Sequence, residues 1–360
     1  MFKLRPKDGQ LLFAIALSLQ IIISIISNTN DLKDFFTHTP TVSIVRYTVF
    51  ALLIAKIALD GVKFSLWQIV LVALATMQCI ISHGGSLLYI YIFAMASRNV
   101  DILRISKIVI PTVALASVIV VLLFIFEFTS EMALPAYDGR GERHSLGFNN
   151  PNILAGYLLA LAYAFFISFD TKAKTIIGIL IFTIIGYLIT GTRTLLLTVI
   201  ILFFCNFIFD IGNKYIKLIA IFLIPVVALV DIVFLYQFSY GPIESELDTI
   251  SSYRFTYIYR LIHNVPITWL GDATVFGEDS DAFDNSYAWF LINYGVIGTT
   301  MFIVSILFGA LKNRDNTQLI ALCCAVCFSG LLESFMFNPV VAFPLLKIIV
   351  DGVNIRLHRS

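Results

Sequence analysis

Apolar stretches long enough to cross a bilayer recur along almost the whole chain, separated only by short polar breaks. A spanning helix needs about 20 residues, somewhat fewer where its ends are buried in protein. On that basis twelve spans are predicted, at 10–28, 42–59, 66–83, 84–97, 108–126, 151–169, 175–190, 195–210, 218–236, 285–311, 317–334 and 340–354. The pattern points to an all-α polytopic membrane protein. Nothing marks a linker, a low-complexity segment or a repeat, so 1–360 is read as a single integral membrane domain. With 59% hydrophobic residues, 13% charged and a mean hydropathy of +0.91, the composition excludes a soluble globule. The first stretch lacks a following small-residue cleavage site and is expected to be a retained span.

Crossing the membrane at each span sends the loops alternately to its two sides. Most of the 24 lysines and arginines then fall on one side, in the start MFKLRPKDGQ, the segment Arg98 to Lys107 and the tail NIRLHRS. The positive-inside rule makes that side cytoplasmic, which places both termini inside the plasma membrane. On the outer side lie Arg140, Arg143, Arg193, Arg254 and Arg260, with Lys33 the lone lysine. Arginine grips phosphate or carboxylate with a planar fork, whereas lysine serves equally well as a generic topology charge. The outer face is therefore expected to hold an anion. A net charge of +1 gives no reason to expect nucleic acid as a partner. All five cysteines fall inside apolar spans, where packing is the expected role; Cys324 and Cys327 have metal-ligand spacing but no second pair nearby.

Two outer loops are substantial, 127–150 and 237–284. The first ends in Arg143-His144-Ser145-Leu146-Gly147-Phe148-Asn149-Asn150-Pro151-Asn152. Asn150 before Pro151 predicts a helix start, with Asn capping free amides and Pro in the first turn. That leaves Arg143 and His144, just upstream, unexplained by helix geometry; a helix amino end beside a guanidinium suits an anion. The second motif is Gly191-Thr192-Arg193-Thr194, a tight outer turn. Its glycine and hydroxyls suit a turn, whereas an arginine beside hydrocarbon is costly unless it is functional or snorkels to headgroups.

In the long loop, SSYRFTYIYRLIHNVPITWLG is predicted to be helical up to Pro266. Arg254, Tyr257, Ile258 and Leu261 share one helical face; Arg260 and His263 lie on another. Two readings fit, a helix lying at the outer membrane surface and an amphipathic loop helix packed on the bundle, and composition favours the second. Further on come Gly271, Asp284-Asn285-Ser286-Tyr287 and Tyr294-Gly295-Val296-Ile297-Gly298.

Taken in order, these elements resemble the O-antigen ligase/polymerase superfamily, and most closely its Wzy-type polysaccharide repeat-unit polymerases. The resemblance rests on the Arg/Phe-Asn-Pro-Asn loop, the Thr-Arg-Thr turn, and the loop with Arg upstream of Gly. An Asn-x-Tyr element then enters a span with a Gly-x-Ile-Gly ending. It covers roughly 130–300, and the twelve-span layout agrees with it. It implies a metal-independent, inverting glycosyltransferase without a cofactor, acting on undecaprenyl-pyrophosphate-linked glycan as donor and acceptor within membrane lipid. A chain-length regulator and a flippase are further partners it implies. Arg193 and Arg254 match the family's two essential arginine positions. Two departures stand out: Thr192 replaces the usual Ser before the turn arginine, and Asp284 stands where ligases commonly carry His.

Residue chemistry supports such a reaction independently. A polyprenyl pyrophosphate is an activated leaving group, and arginines near low-dielectric surroundings stabilise its developing charge. The acceptor hydroxyl needs a general base, for which Asp284, His144 and His263 are candidates in that order. Each also has a plain structural reading, Asp284 as a helix cap and the histidines as loop residues. Arg143, Arg140, Arg260, Asn150, Asn285 and Glu333 are the expected binding residues beside catalytic Asp284, His144, Arg193 and Arg254. Within the spans, Arg46, Asp231 and Glu333 lie toward outer ends, while Lys56 and Lys347 are deeper or inward; for Glu333 a paired structural role competes with a catalytic one. The function expected is polymerisation of lipid-linked repeat units at the outer leaflet, for capsule, exopolysaccharide or O-antigen. A ligase is the nearest rival, and a lipid-linked glycan flippase or other transporter the rival of a different class.

Overall fold

The structure, a computed structural model, describes residues 6–32, 39–61, 64–131, 142–169, 173–212, 214–237, 246, 248–249, 254–275 and 284–353. The helices are α1 (Pro6–Ile26), α2 (Thr41–Leu59), α3 (Leu66–Ser82), α4 (Ser86–Ala96), α5 (Ile102–Ile125), α6 (Pro151–Ser168) and α7 (Ala173–Thr190). After them come α8 (Arg193–Ile211), α9 (Lys214–Gln237), α10 (Arg254–Asn264), α11 (Ser286–Lys312), α12 (Thr317–Leu332) and α13 (Phe343–Val353). Among the described residues the β pairing is a single isolated bridge, Thr29 to Phe148. All-helical architecture is what a hydrocarbon solvent enforces, because a helix satisfies its backbone polar groups internally.

Every apolar stretch of the sequence contains a helix, but the helices differ in reach. By length and composition, eight are able to cross a membrane: α1 from Gly9, α2, α5, α6, α7, α8, α9 and α11. Of the other five, α10 lies in the predicted 237–284 loop, and α3, α4, α12 and α13 are shorter apolar helices, with 17, 11, 16 and 11 residues. The protein is thus a membrane-embedded helical protein. Local chemistry sets the helix starts: Ser65 and Gln68 form a reciprocal capping box on α3, and Asp101 and Asn316 cap α5 and α12.

The chain divides into two compact units. The first comprises 1–63, 95–203 and 338–344. In it α1 packs on α2 and α5, α5 on α6, and α6 on α7. Helix α6 is the most enclosed, with 72% of its length buried against 22% for α2 and α7. Its small residues, among them Ala155, Gly156, Ala160 and Ala164, let neighbouring backbones approach, the usual basis of helix association in lipid. Large apolar side chains such as Leu115, Val118, Ile181 and Leu188 face outward, as lipid contact requires.

The second unit comprises 64–94, 204–337 and 345–360. Here α11 is the centre, packed against α3, α9, α10 and α12. It is not a continuous helix. Gly295 breaks it with φ 64° and ψ −170°, and the loop backbone at 268–272 fills the break. Val296 and Ile297 donate to the carbonyls of Thr268 and Trp269 at 3.1 Å each, and Asp272 donates to the Ile292 carbonyl at 2.9 Å. Gly295 is therefore a mid-helix interruption inside the predicted span 285–311, which the apolar pattern alone read as unbroken.

Two of the lysines written into the spans are paired. Lys56 is fully buried and bonds Asp60, which also accepts from Asn99 at 2.9 Å. Lys347 pairs with Asp351 at 3.0 Å. Such local neutralisation is the standard solution for ionisable groups in a membrane. The five cysteines are unbridged.

Candidate functional site

In the first unit, one end of the bundle gathers the ends of α1, α5 and α7, the start of α6 and the start of α8. Asn150 caps α6 by accepting the Asn152 amide at 2.8 Å, and Pro151 occupies the first turn, as the sequence pattern predicts. The preceding segment is tied to α1, where Asn149 donates to the Asn28 carbonyl at 3.0 Å and Asn30 donates to the Gly147 carbonyl at 2.9 Å. Its other side is tied to the end of α7, where the His144 amide donates to the Ile189 carbonyl at 3.0 Å.

Arg143 completes the tie. Its Nε donates to the Thr190 carbonyl at 3.0 Å, and its Nη2 donates to Thr192 Oγ1 at 3.2 Å and to Asn152 Oδ1. Thr192 Oγ1 in turn donates to Asn152 Oδ1 at 3.0 Å. The turn needs glycine at 191: φ is +60°, and a Cβ there would lie 2.7 Å from Arg143 Cγ. The fork that the sequence assigned to a ligand thus clamps the 190–192 turn. Arg193, half-buried, opens α8 directly after it.

His144 has a carboxylate partner that the sequence reading did not single out. Its Nδ1 lies 3.1 Å from Glu131 Oε1, and that oxygen also takes the Leu146 amide at 3.4 Å. The imidazole side chain is 42% exposed, so it remains accessible. Arg140 lies outside the described residues.

In the second unit, Arg254 begins α10, and Asp248 holds that helix start by accepting the Thr256 amide at 3.1 Å. Buried Ile258, Ile262 and Val265 pack with Leu235 of α9 and with Ala288 and Ile292 of α11. Arg260 and His263 are exposed on the other side. This is the bundle-packed amphipathic helix that composition favours; the Tyr257 and Leu261 side chains lie outside the described residues. The guanidinium of Arg254 reaches two carboxylates, Glu333 Oε1 at 3.0 Å and Asp284 Oδ2 at 3.2 Å, and its Nη1 donates to the Leu332 carbonyl. Burial opposes the charge on Arg254, but the carboxylates of Glu333 and Asp284 outweigh it and hold the guanidinium above its ordinary value. Glu333 is 1% exposed and Asp284 15%.

Asn285, next to Asp284, acts as a cap and strut. Its Oδ1 accepts the Ala288 amide at 2.9 Å, and its Nδ2 donates to Asp231 Oδ2 at 2.8 Å and to the Leu331 carbonyl at 3.0 Å. Ser286 Oγ donates to the Glu333 carbonyl at 2.7 Å, fixing the end of α12. His263, the third candidate base, meets the Tyr236 and Tyr259 rings, with centroid separations of 5.1 and 4.0 Å.

Each unit therefore carries one arginine cluster. In the first, Arg143, His144, Asn150 and the Arg193 turn belong to one knot with Glu131. In the second, Arg254, Asp284, Asn285 and Glu333 come together with Asp231, while Arg260 stands apart. Among the described residues no three His, Cys, Asp or Glu side chains are placed as a metal-ligand set. No family model, no curated protein and no solved structure matches the chain.

Proposed function

We propose that the protein polymerises undecaprenyl-pyrophosphate-linked oligosaccharide repeat units at the outer leaflet of the cell membrane, as a metal-independent inverting glycosyltransferase. One observation carries the reading: His144 and the turn that delivers Arg193 are fastened to each other at one end of the first unit. The His144 amide holds Ile189, and Arg143 holds Thr190 and Thr192. An imidazole and a guanidinium thus issue from one rigid knot of backbone.

Those are the two groups that glycosyl transfer from a diphosphate requires. The acceptor hydroxyl oxygen bonds to the anomeric carbon of the growing chain, and its proton passes to a base. The bond from that carbon to the diphosphate oxygen breaks, and its electron pair leaves on the diphosphate. A guanidinium in a low-dielectric site stabilises that charge. The ordered motifs resembling the polymerases support the same assignment.

Under this reading Arg193 binds the pyrophosphate. Arg254, held by Glu333 and Asp284 in the second unit, matches the second arginine position that the resemblance implies, and Arg260 stands apart from it. Asp284 spends its charge on Arg254, so His144 takes precedence over it as the base. Deleting the gene and analysing carrier-linked glycan tests the function. Accumulation of single repeat units supports a polymerase; unligated long chains indicate a ligase, and units trapped on the cytoplasmic leaflet indicate a flippase.

A further inference from the structure

Thirteen residues before His144 stands a carboxylate, Glu131, whose position matters more than its sequence context suggests. Glu131 Oε1 receives two contacts, from the His144 ring at 3.1 Å and from the Leu146 amide at 3.4 Å. The amide can only donate, so that oxygen is an acceptor. Opposite a carboxylate oxygen Nδ1 of His144 serves as the donor, so a ring carrying one hydrogen holds it there and keeps its lone pair on Nε2. The backbone of the same residue is pinned separately, through its amide to the Ile189 carbonyl at 3.0 Å. Ring and backbone are thus fixed by different partners, and the 42% exposure of the side chain leaves the imidazole accessible.

We infer that Glu131 is the positioning residue of a carboxylate–histidine dyad in which His144 Nε2 is the general base toward the acceptor hydroxyl. This rests on the proposed glycosyl transfer and names the residue that prepares its base. Glu131 does not touch substrate. It fixes the tautomer and the ring orientation, and it stabilises the imidazolium formed when the hydroxyl proton arrives, as a carboxylate behind a catalytic histidine does. The proton is then lost from Nε2 to water, which returns the ring to its starting form.

The test uses the full-length protein in lipid nanodiscs with lipid-linked repeat units. Glu131→Gln keeps an oxygen acceptor for the Leu146 amide but removes the charge. The expected result is a kcat lowered by about 10²-fold, the scale of general-base assistance, with KM within about twofold of wild type. Against a His144→Gln background, Glu131→Gln should cost nothing further, because residues acting through one group are non-additive. Normal kcat in Glu131→Gln, a rise in KM alone, or a full additional loss in the double variant would each overturn the dyad. A second readout does not depend on turnover. In protein labelled with 15N-histidine, the signal that His144→Gln abolishes should show a hydrogen on Nδ1, and a ring bare at Nδ1 would overturn the assignment. If the wild type transfers no sugar while showing the expected tautomer, the glycosyl-transfer reading fails and takes the catalytic role of the dyad with it. If the wild type is active but Glu131→Gln matches it, the transfer reading stands and the dyad falls.

Discussion

Arg254 and Glu333 are 79 residues apart in the chain, yet Nη2 of one lies 3.0 Å from Oε1 of the other. The pair joins α10 to the end of α12, and Asp284 at the head of α11 makes it a triad. Two carboxylates share one guanidinium, so charge balance at this point depends on Arg254. Removing one partner of a buried pair leaves uncompensated charge, at about 3–5 kcal/mol.

Arg254→Ala is therefore expected to lower the yield of folded protein, and Arg254→Ala with Glu333→Gln to restore much of it. Thermal aggregation in detergent measures both. Equal stability of Arg254→Ala and wild type would show that the triad contributes little to the fold.

Lysine at either arginine separates fork geometry from charge. Arg193→Lys and Arg254→Lys should both reach the membrane yet lose long-chain polymer, since lysine cannot reproduce a bidentate grip. Polymer length on gels of lipid-released glycan is the readout. Full-length polymer from both variants would remove the arginines from the pyrophosphate assignment.

What the sequence makes legible follows from which interactions are local. The apolar stretches gave the helices, because hydrocarbon admits few other backbone solutions. Asn150-Pro151 marked the start of α6, because a cap and its helix are adjacent. Ile258 against Arg260 and His263 divided the faces of α10 by period alone. Arg254 with Glu333, Asp231 with Asn285 and Glu131 with His144 are encounters between distant or irregular segments, and no periodicity records them. Arg143 illustrates the consequence: the sequence offers it as a binding residue, and only the fold shows its fork meeting Thr190, Thr192 and Asn152. The break at Gly295 was hidden for a related reason, since a helix repaired by another segment's carbonyls keeps its apolar pattern.

That repair makes Gly295 a sensitive position. A Cβ there would sit 2.5 Å from the Gly271 nitrogen and from the Thr268 oxygen, on a backbone at φ +64°. Backbone atoms cannot rotate away as a side-chain end can. Gly295→Ala should destabilise by more than about 3 kcal/mol, seen as early aggregation on heating and loss of monodisperse protein on size exclusion. A variant as stable as wild type would mean that the 268–272 loop does not occupy the break.

Metal independence rests on the resemblance, and one part of the chain makes its test necessary. The segment between α10 and α11 carries Glu278, Asp279 and Asp281, outside the described residues, and Asp279 and Asp281 have the spacing of a two-carboxylate cation grip. Elongation by purified protein is expected to continue in excess EDTA and to be unchanged in Asp279→Asn/Asp281→Asn. Activity lost in EDTA and recovered with Mg²⁺ or Mn²⁺ would replace the arginine-only account with a metal-assisted one.

The choice of base sets Asp284 against His144. Asp284 lies 3.2 Å from Arg254, so its carboxylate serves the triad, whereas the His144 ring is oriented from behind by Glu131 and remains accessible. Asp284→Asn keeps the size of the side chain and removes the ionic partner, so it weakens alignment of Arg254 without removing a base. It is expected to raise KM for the lipid-linked donor several-fold and to lower kcat by less than about tenfold. His144→Gln is expected to lower kcat by about 10²-fold or more with little effect on KM. Steady-state rates across donor concentrations separate the two patterns. The reverse result, a dead Asp284→Asn and an active His144→Gln, would return the base to Asp284. Full activity in both would pass the role to Glu333, the other carboxylate of the triad.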